Sequence, residues 1–347
     1  MQNKPIERPS QGQGVRFIPQ GAIIQEFSVA GQNIVLNFPS SSAYATHNAA
    51  YFGETIGRVA NRVAGGTVGN LNGQTYQLAT NDGENSLHGG SQGWGKRVFT
   101  GPILELNNGT ESAKFRYTSP HGDEGYPGTL EVLVTYTGRP IDDHDGDGFA
   151  LEIEYEVKFA DKAENVYDES RETVVNVTNH SYFNLSNSSN IEGTLATLTT
   201  DQYLPRDNNG IPKTGVTTHP TVTKGEAFTL DAAEPVFDDC FVLNSDLESI
   251  SLDSRSSPLR TAAKFYHPST KIHLEVQTTE PAFQFYTGDY VDTPTIETAP
   301  QRGPRSGFCV EPCRYVNAVN VEDWRHMVLL RRGEIYGSRI VYRAWKG

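Results

Sequence analysis

Short runs in which apolar and polar residues alternate recur along nearly the whole chain, and hardly any stretch carries a helical period. Alternation at period two buries one face of a pleated strand and leaves the other for solvent or a second layer. Strands read out at residues 15–17, 22–29, 34–38, 98–106, 113–118, 130–136, 150–159, 173–179, 194–199, 271–277 and 335–342. Gly, Asn, Asp, Ser and Pro stand between them, and Asn72-Gly73 before the alternating residues 75–78 is a hairpin signal. Closely spaced strands joined by turns predict an all-β fold, a large antiparallel β-sandwich with a few short helices. The helix candidates are residues 42–51 and 232–236. No repeat and no Pro/Ser-rich linker divides the chain, so residues 1–347 are expected to form one domain, with 1–14 as an extended N-terminal arm.

Composition narrows the function. Only 36% of residues are hydrophobic, but 16 Tyr and 16 Phe supply a sizeable core. No window approaches 18 uninterrupted apolar residues, which excludes a membrane-spanning helix. Against 29 Lys and Arg stand 42 Asp and Glu, a net charge of −13. That field opposes a polyanion, so nucleic acid is not an expected partner and a neutral small molecule is. Three cysteines do not make a disulfide framework. Residues 1–20 hold no apolar signal core, so the expected compartment is the cytoplasm. Scarce Lys with abundant Asn, Ser and Thr also suits a secreted protein whose signal has been removed. A monomer or weak homodimer is expected.

Five stretches are richer in chemistry than strands require. Gly53 to Val63 holds Arg58, Asn61 and Arg62, side chains that suit a polyhydroxyl ligand or, more plainly, a salt-bridged loop. His88 precedes Gly89 and Gly90, which let backbone approach a ligand closely while the imidazole points at it. A loop histidine is, however, more often structural. Past the strand ending at Val177 come His180, Tyr182 and Asn184, on one face if extended geometry continues; the plain alternative is a satisfied core histidine. Gln284 lies among Phe283, Phe285 and Tyr286, an amide beside aromatics that can pack on a sugar ring, or an ordinary core amide. In Gly307 to Cys313, alternation sets Phe308 and Val310 on one face and Cys309, Glu311 and Cys313 on the other. A carboxylate on such a strand is partly desolvated, which raises its pKa toward that of a useful general base. The plain alternative is an ion pair with an arginine such as Arg62. Two thiols four residues apart, with Cys240 the only other, are weak evidence for zinc.

Together these segments resemble the aldose 1-epimerases, or galactose mutarotases, from about Gly21 to Tyr342. The resemblance rests on Gly57-Arg58-Val59-Ala60-Asn61-Arg62, Leu87-His88-Gly89-Gly90, Asp123-Glu124-Gly125-Tyr126-Pro127-Gly128, residues 178–185 from Thr178 through His180 to Leu185, Phe237-Asp238-Asp239-Cys240-Phe241, residues 284–288, and Glu311. The His180 segment is the most specific. The resemblance implies a galactose mutarotase-like supersandwich and a cofactor-free, metal-free isomerase that interconverts the anomers of free hexoses such as glucose and galactose. It implies His180 as general acid and Glu311 as general base, with Asn61, Arg62, His88, Asp238 and Gln284 binding the sugar. Many relatives carry His where Asp239 stands, and Gln where Cys313 stands; both departures bear on sugar preference.

Anomer exchange needs one acid and one base across the C1–O5 bond, and no redox group. The rival readings are a hexose-6-phosphate 1-epimerase, which needs a cationic clamp, and a non-catalytic sugar-binding protein, which needs no acid–base pair. A glycoside hydrolase would need two facing carboxylates, for which Asp238 and Glu311 are the candidates. Asp143, Asp145, Asp147, Gly148 and Glu154 fit the calcium-loop spacing of an EF-hand. Residues 151–157 alternate as a strand where that motif needs a helix, so an acidic hairpin tip is the expected reading.

Overall fold

The computed structural model describes residues 6–8, 13–107, 110–141, 148–161, 168–213 and 215–347. The strict alternation of the central strand Gly148–Phe159 shows how the layers form. Leu151, Ile153, Tyr155 and Val157 are fully buried, whereas Glu152, Glu154 and Glu156 occupy the other face. Glu154 and Glu156 meet the Arg255 guanidinium there, with Glu154 at 3.5 Å. The expected strand at 151–157 is therefore present. Asp143, Asp145 and Asp147 lie outside the described residues.

Nine antiparallel strands form the large sheet: in spatial order Thr100–Asn107, Thr110–Ser119, Leu130–Pro140, Gly148–Phe159, Ile335–Lys346, Ile272–Thr278, Arg260–His267, Thr194–Leu198 and Ala227–Leu230. A second sheet of six runs Tyr182–Phe183, Phe308–Cys313, Ala282–Tyr286, Asp238–Val242, Gln202–Leu204 and Thr217–Thr218. The two pack through aromatics. Phe265 of the large sheet stacks on Phe308 at 4.2 Å and meets Phe285 at 5.8 Å, and Phe241 and Phe283 extend the same core. Because alternate residues of the six-stranded sheet are spent on that core, the intervening ones project from its opposite face, where the site lies. A four-stranded sheet, Ile6–Arg8, Gln13–Ile18, Ile23–Val29 and Gln32–Asn33, adds Val15, Phe17 and Phe27 to the core. The expected N-terminal arm thus contributes an edge strand, with Ile6 opposite Val15.

Three expectations fail for one reason, side-chain hydrogen bonds that replace a ladder or a helix. Residues 34–38 form one isolated bridge, Val35 to Phe183, because the Asn33 side chain accepts from the backbone N–H of Phe27 and of Val35. Residues 173–179 are two strands with different partners: Glu172–Val174 pairs with Leu329–Arg331, and Thr178–His180 with Glu54–Ile56. Asn176 sits at the switch, its side chain bonded to the backbone of Arg314. Residues 232–236 are not a helix. Arg305 takes the carbonyls of Asp231, Glu234 and Pro235 that a helix would use. The other candidate forms as Ser41–His47, capped by Ser40 Oγ, which accepts from Ala43 N–H. It stops before residue 51 because the Asn48 side chain closes a loop onto the backbone of Phe52.

Candidate active site

Of the two arginines four residues apart, one belongs to the scaffold and one to a cavity. Arg58 is fully buried and donates to the carbonyls of Pro127 and Gly128 at 2.7 and 2.9 Å and to Ser119 Oγ at 2.6 Å. The segment 123–128 therefore ties down Arg58. Arg62 turns the other way. Its Nε donates to Asp82 Oδ2 at 2.7 Å, and its Nη1 lies 3.9 Å from Asp238 Oδ2. The reversal comes at Asn61, whose φ of 58° is one that Asn tolerates better than most residues and whose Oδ1 accepts from Arg62 N–H at 2.8 Å.

His88 is latched to that turn. Its N–H donates to Asn61 O at 3.1 Å, and Asn61 N–H donates to His88 Nδ1 at 3.3 Å. With Nδ1 accepting, the neutral ring carries its proton on Nε2. Gly89 serves a different approach from the one expected. A Cβ there would lie 2.0 Å from Gly57 O, so the glycine packs against protein backbone.

The six-stranded sheet supplies the floor. Cross-strand register aligns Tyr182, Cys309, Tyr286 and Asp238 in one row and Glu311, Gln284 and Cys240 in the next. Gln284 Nε2 donates to Asp238 Oδ1 at 2.7 Å, and its buried Oε1 has no hydrogen-bond partner among the described residues. Tyr182, Tyr286, Asp238, Gln284 and Glu311 face a cavity of about 730 Å³, shared with Asn61, Arg62, His88 and His180. All seven residues expected at the site thus meet in one place. Asn184 does not join them. Its amide holds the carbonyls of Ser188, Asn190 and Ser306, so extended geometry ends before it.

His180 and Glu311, 131 positions apart in the chain, face each other with Nε2 3.5 Å from Oε1. Both are almost fully buried. Burial, reinforced by the Lys96 ammonium, pulls the imidazole down to about 3. Burial, with the Asp238 carboxylate adding to it, pushes the Glu311 carboxyl well above its usual range. Both shifts disfavour the charged form of each group. Cys309 Sγ lies 3.5 Å from His180 Nδ1 and stays a thiol because burial raises its pKa.

Sequence reasoning overlooked the group behind the imidazoles. The Tyr51 ring lies 4.7 Å from that of His88 and 5.6 Å from that of His180. The Lys96 ammonium sits 4.6 Å from its centroid and is paired with the buried Glu54 carboxylate. Tyr51 has φ of 64°, unusual for an aromatic residue. No local pattern marks these three, which converge from a loop, a strand and a short turn. The two departures lie off the site. Asp239 faces Arg206 at 3.5 Å and His219 at 3.9 Å, and Cys313 is buried beside Cys240.

His88, His180 and Glu311 each bring one ligand atom to within 4.8 Å of the others, a spacing that would suit a metal ion. The hydrogen bonds do not suit one. A ligating imidazole offers a bare nitrogen to the metal and holds its proton on the other, whereas His88 Nδ1 is taken by the Asn61 N–H.

The aldose 1-epimerase family model matches residues 8–343. The bifunctional protein gal10 of Schizosaccharomyces pombe is 36% identical over 323 residues, which cover 92% of this chain and 42% of that protein. The chain spans less than half the length of such bifunctional relatives. The galactose mutarotase of Sus scrofa is 38% identical over 315 residues, covering 88% of this chain and 81% of that protein. Among solved structures, a GalM/aldose epimerase homologue from C. elegans superposes with a TM-score of 0.79 at 23% identity, covering both chains in full. A galactose 1-epimerase from Lactobacillus acidophilus NCFM gives 0.76 at 22%, covering 99% and 94%. At those identities the two structures speak to the fold alone, a mutarotase-like β-sandwich. Taken with the family match along nearly its whole length, they place the chain in the aldose 1-epimerase family.

Proposed function

We propose that this chain is an aldose 1-epimerase that interconverts the α and β anomers of free hexoses such as glucose and galactose. The reading is carried by one observation, the buried His180–Glu311 contact at the base of a polar cavity. Ring opening moves two protons: Glu311 takes one from the C1 hydroxyl, and the His180 imidazolium gives one to the ring oxygen. The C1–C2 bond of the open aldehyde then rotates. Closure on the other face returns both protons. The pair cycles between carboxylate with imidazolium and carboxylic acid with imidazole. Each state holds one proton, so closure restores the starting form, and burial favours the uncharged carboxylic acid with imidazole over the charged state. No proton need be exchanged with solvent during turnover.

The binding groups suit a neutral sugar. Arg62 is already engaged by Asp82 and Asp238, so it presents directed donors in place of a free charge. His88 Nε2–H offers a donor and Gln284 Oε1 an unfilled acceptor. Asn61 and Asp238 complete the set. The acid–base pair disfavours a sugar-binding protein without activity, and paired cations disfavour a sugar phosphate.

Polarimetry tests the assignment. Fresh α-glucose or α-galactose should reach anomeric equilibrium much faster with protein than without it. His180→Ala and Glu311→Ala should each lower kcat by about 10²–10⁴-fold while keeping the circular dichroism spectrum of a β-sandwich. Full activity in both variants would refute the roles.

A further inference from the structure

A second cavity, of about 670 Å³, shares no lining residue with the first. It lies between residues 30–37, the loop that holds Asn184 and residues 187–189, and residues 300–302. In a chain with a net charge of −13, no Asp or Glu lines it, and Arg302 is its one charged lining residue. Other arginines of the interior are engaged, Arg58 by carbonyls, Arg305 and Arg314 by carboxylates. The Arg302 side chain has no ion pair or hydrogen bond among the described residues, and its Nε is buried. Burial lowers its pKa, and no neighbouring charge offsets that. A cation withdrawn from water without a counter-charge is unfavourable, and an oxyanion on its planar donor fork would offset the cost.

The surroundings suit a polar ligand. Asn37, Asn187, Ser189 and Gln301 line the cavity, and none of their side chains is hydrogen-bonded to another described residue. The backbone that carries them is held in place. Asn184 Nδ2 donates to the carbonyls of Ser188 and Asn190, and Asn33 Nδ2 to that of Val35 at 3.0 Å. Arg302 and Thr293 exchange backbone hydrogen bonds of 2.9 and 2.8 Å. Groups on a fixed backbone lose little freedom when a ligand engages them. We propose that this cavity is a second ligand site, for a small hydroxylated molecule bearing one carboxylate or phosphate. Arg302 holds the oxyanion there, and the uncommitted amides and hydroxyl meet the ligand's hydroxyl groups. The site is independent of the epimerase reading.

Two probes without a hemiacetal, gluconate and glycerol 3-phosphate, separate the head groups, with glycerol as the neutral control. NMR titration should show saturable binding of at least one anion below about 10 mM, and none of glycerol in that range. Arg302→Gln should weaken the binding at least about tenfold. Arg302→Lys keeps the charge without the fork and should weaken it less. Saturating galactose should leave the anion's affinity unchanged, and neither variant should alter the rate of mutarotation. Tighter binding of gluconate would assign the head group as carboxylate, and tighter binding of glycerol 3-phosphate as phosphate. No saturable binding of either anion, or the same affinity in Arg302→Gln, would overturn the site. Displacement by galactose would overturn it too, because the anion would then occupy the catalytic cavity.

Discussion

A single buried carboxylate behind the site illustrates how much at the residue scale depends on surroundings. Glu54 pairs in register with His180, donates no hydrogen bond of its own as a carboxylate, and accepts from Asn48 Nδ2 at 2.8 Å and from Lys96 Nζ. Burial raises its pKa from 4.5 to about 7, against the opposing pull of Lys96. A raised folded-state value means that the folded protein holds the proton more tightly than the unfolded chain. The stabilisation is complete below about pH 4.5 and is lost as pH rises through about 7. Glu54→Gln cannot titrate, so wild-type stability should fall relative to this variant by about 3 kcal/mol between pH 4.5 and 7.5. Urea midpoints of both proteins across that range measure the difference; parallel curves would exclude the shift. The same substitution leaves Lys96 without its counter-charge near His180, so kcat should fall with little change in KM. Glu311 and His180 were legible in the sequence because each stands in a recognisable motif. Glu54, Lys96 and Tyr51 were not, because their meaning arises only when three separate segments converge on two imidazoles.

Among elements, the segment from Gly57 to Val63 shows how one motif serves two ends. Arg58 satisfies backbone carbonyls in the interior, and Arg62 reaches the cavity. Arg58→Met would strip several buried carbonyls of their donor, at roughly 1–3 kcal/mol each before relaxation, and should lower stability by about 3 kcal/mol or more. Arg62→Met loses a part-exposed ion pair, worth no more than about 1 kcal/mol, but should raise KM about tenfold through lost hydroxyl contacts. Denaturation and initial-rate polarimetry on both variants would separate the roles; a stability loss in Arg62→Met matching that in Arg58→Met would contradict it. Strands with strict alternation, such as 151–157 and 308–313, were readable because one face of each is core. The broken strand at 173–179 and the irregular 34–38 run were not. Asn176 and Asn33 interrupt them by hydrogen bonds to backbone, and in the case of Asn176 the partner is Arg314, 138 positions away. The same distance effect hid the capture of the 231–235 carbonyls by Arg305.

Over the whole molecule, charge decides between a free sugar and its phosphate. The chain carries a net charge of −13, a field that repels a dianion at long range. The two arginines at the cavity do not reverse it locally. Arg62 is neutralised by Asp82 and Asp238, and Arg206 lies 3.5 Å from Asp239. A phosphate clamp needs cations whose charge is available to the ligand. Neither arginine meets that need without breaking an existing pair, so a hexose 6-phosphate would lose the hydration of its phosphate for little return. A neutral hexose feels no long-range force, and its encounter rate should not respond to screening. Raising ionic strength from about 0.05 to 0.5 M shortens the screening length severalfold, and kcat/KM for galactose should change by less than about twofold. Galactose 6-phosphate should show a kcat/KM at least about tenfold lower at the lower salt, recovering in part as salt screens the repulsion. A phosphate ester preferred at low salt and losing that preference at high salt would mark attraction in place of repulsion, and would transfer the chain to sugar-phosphate chemistry.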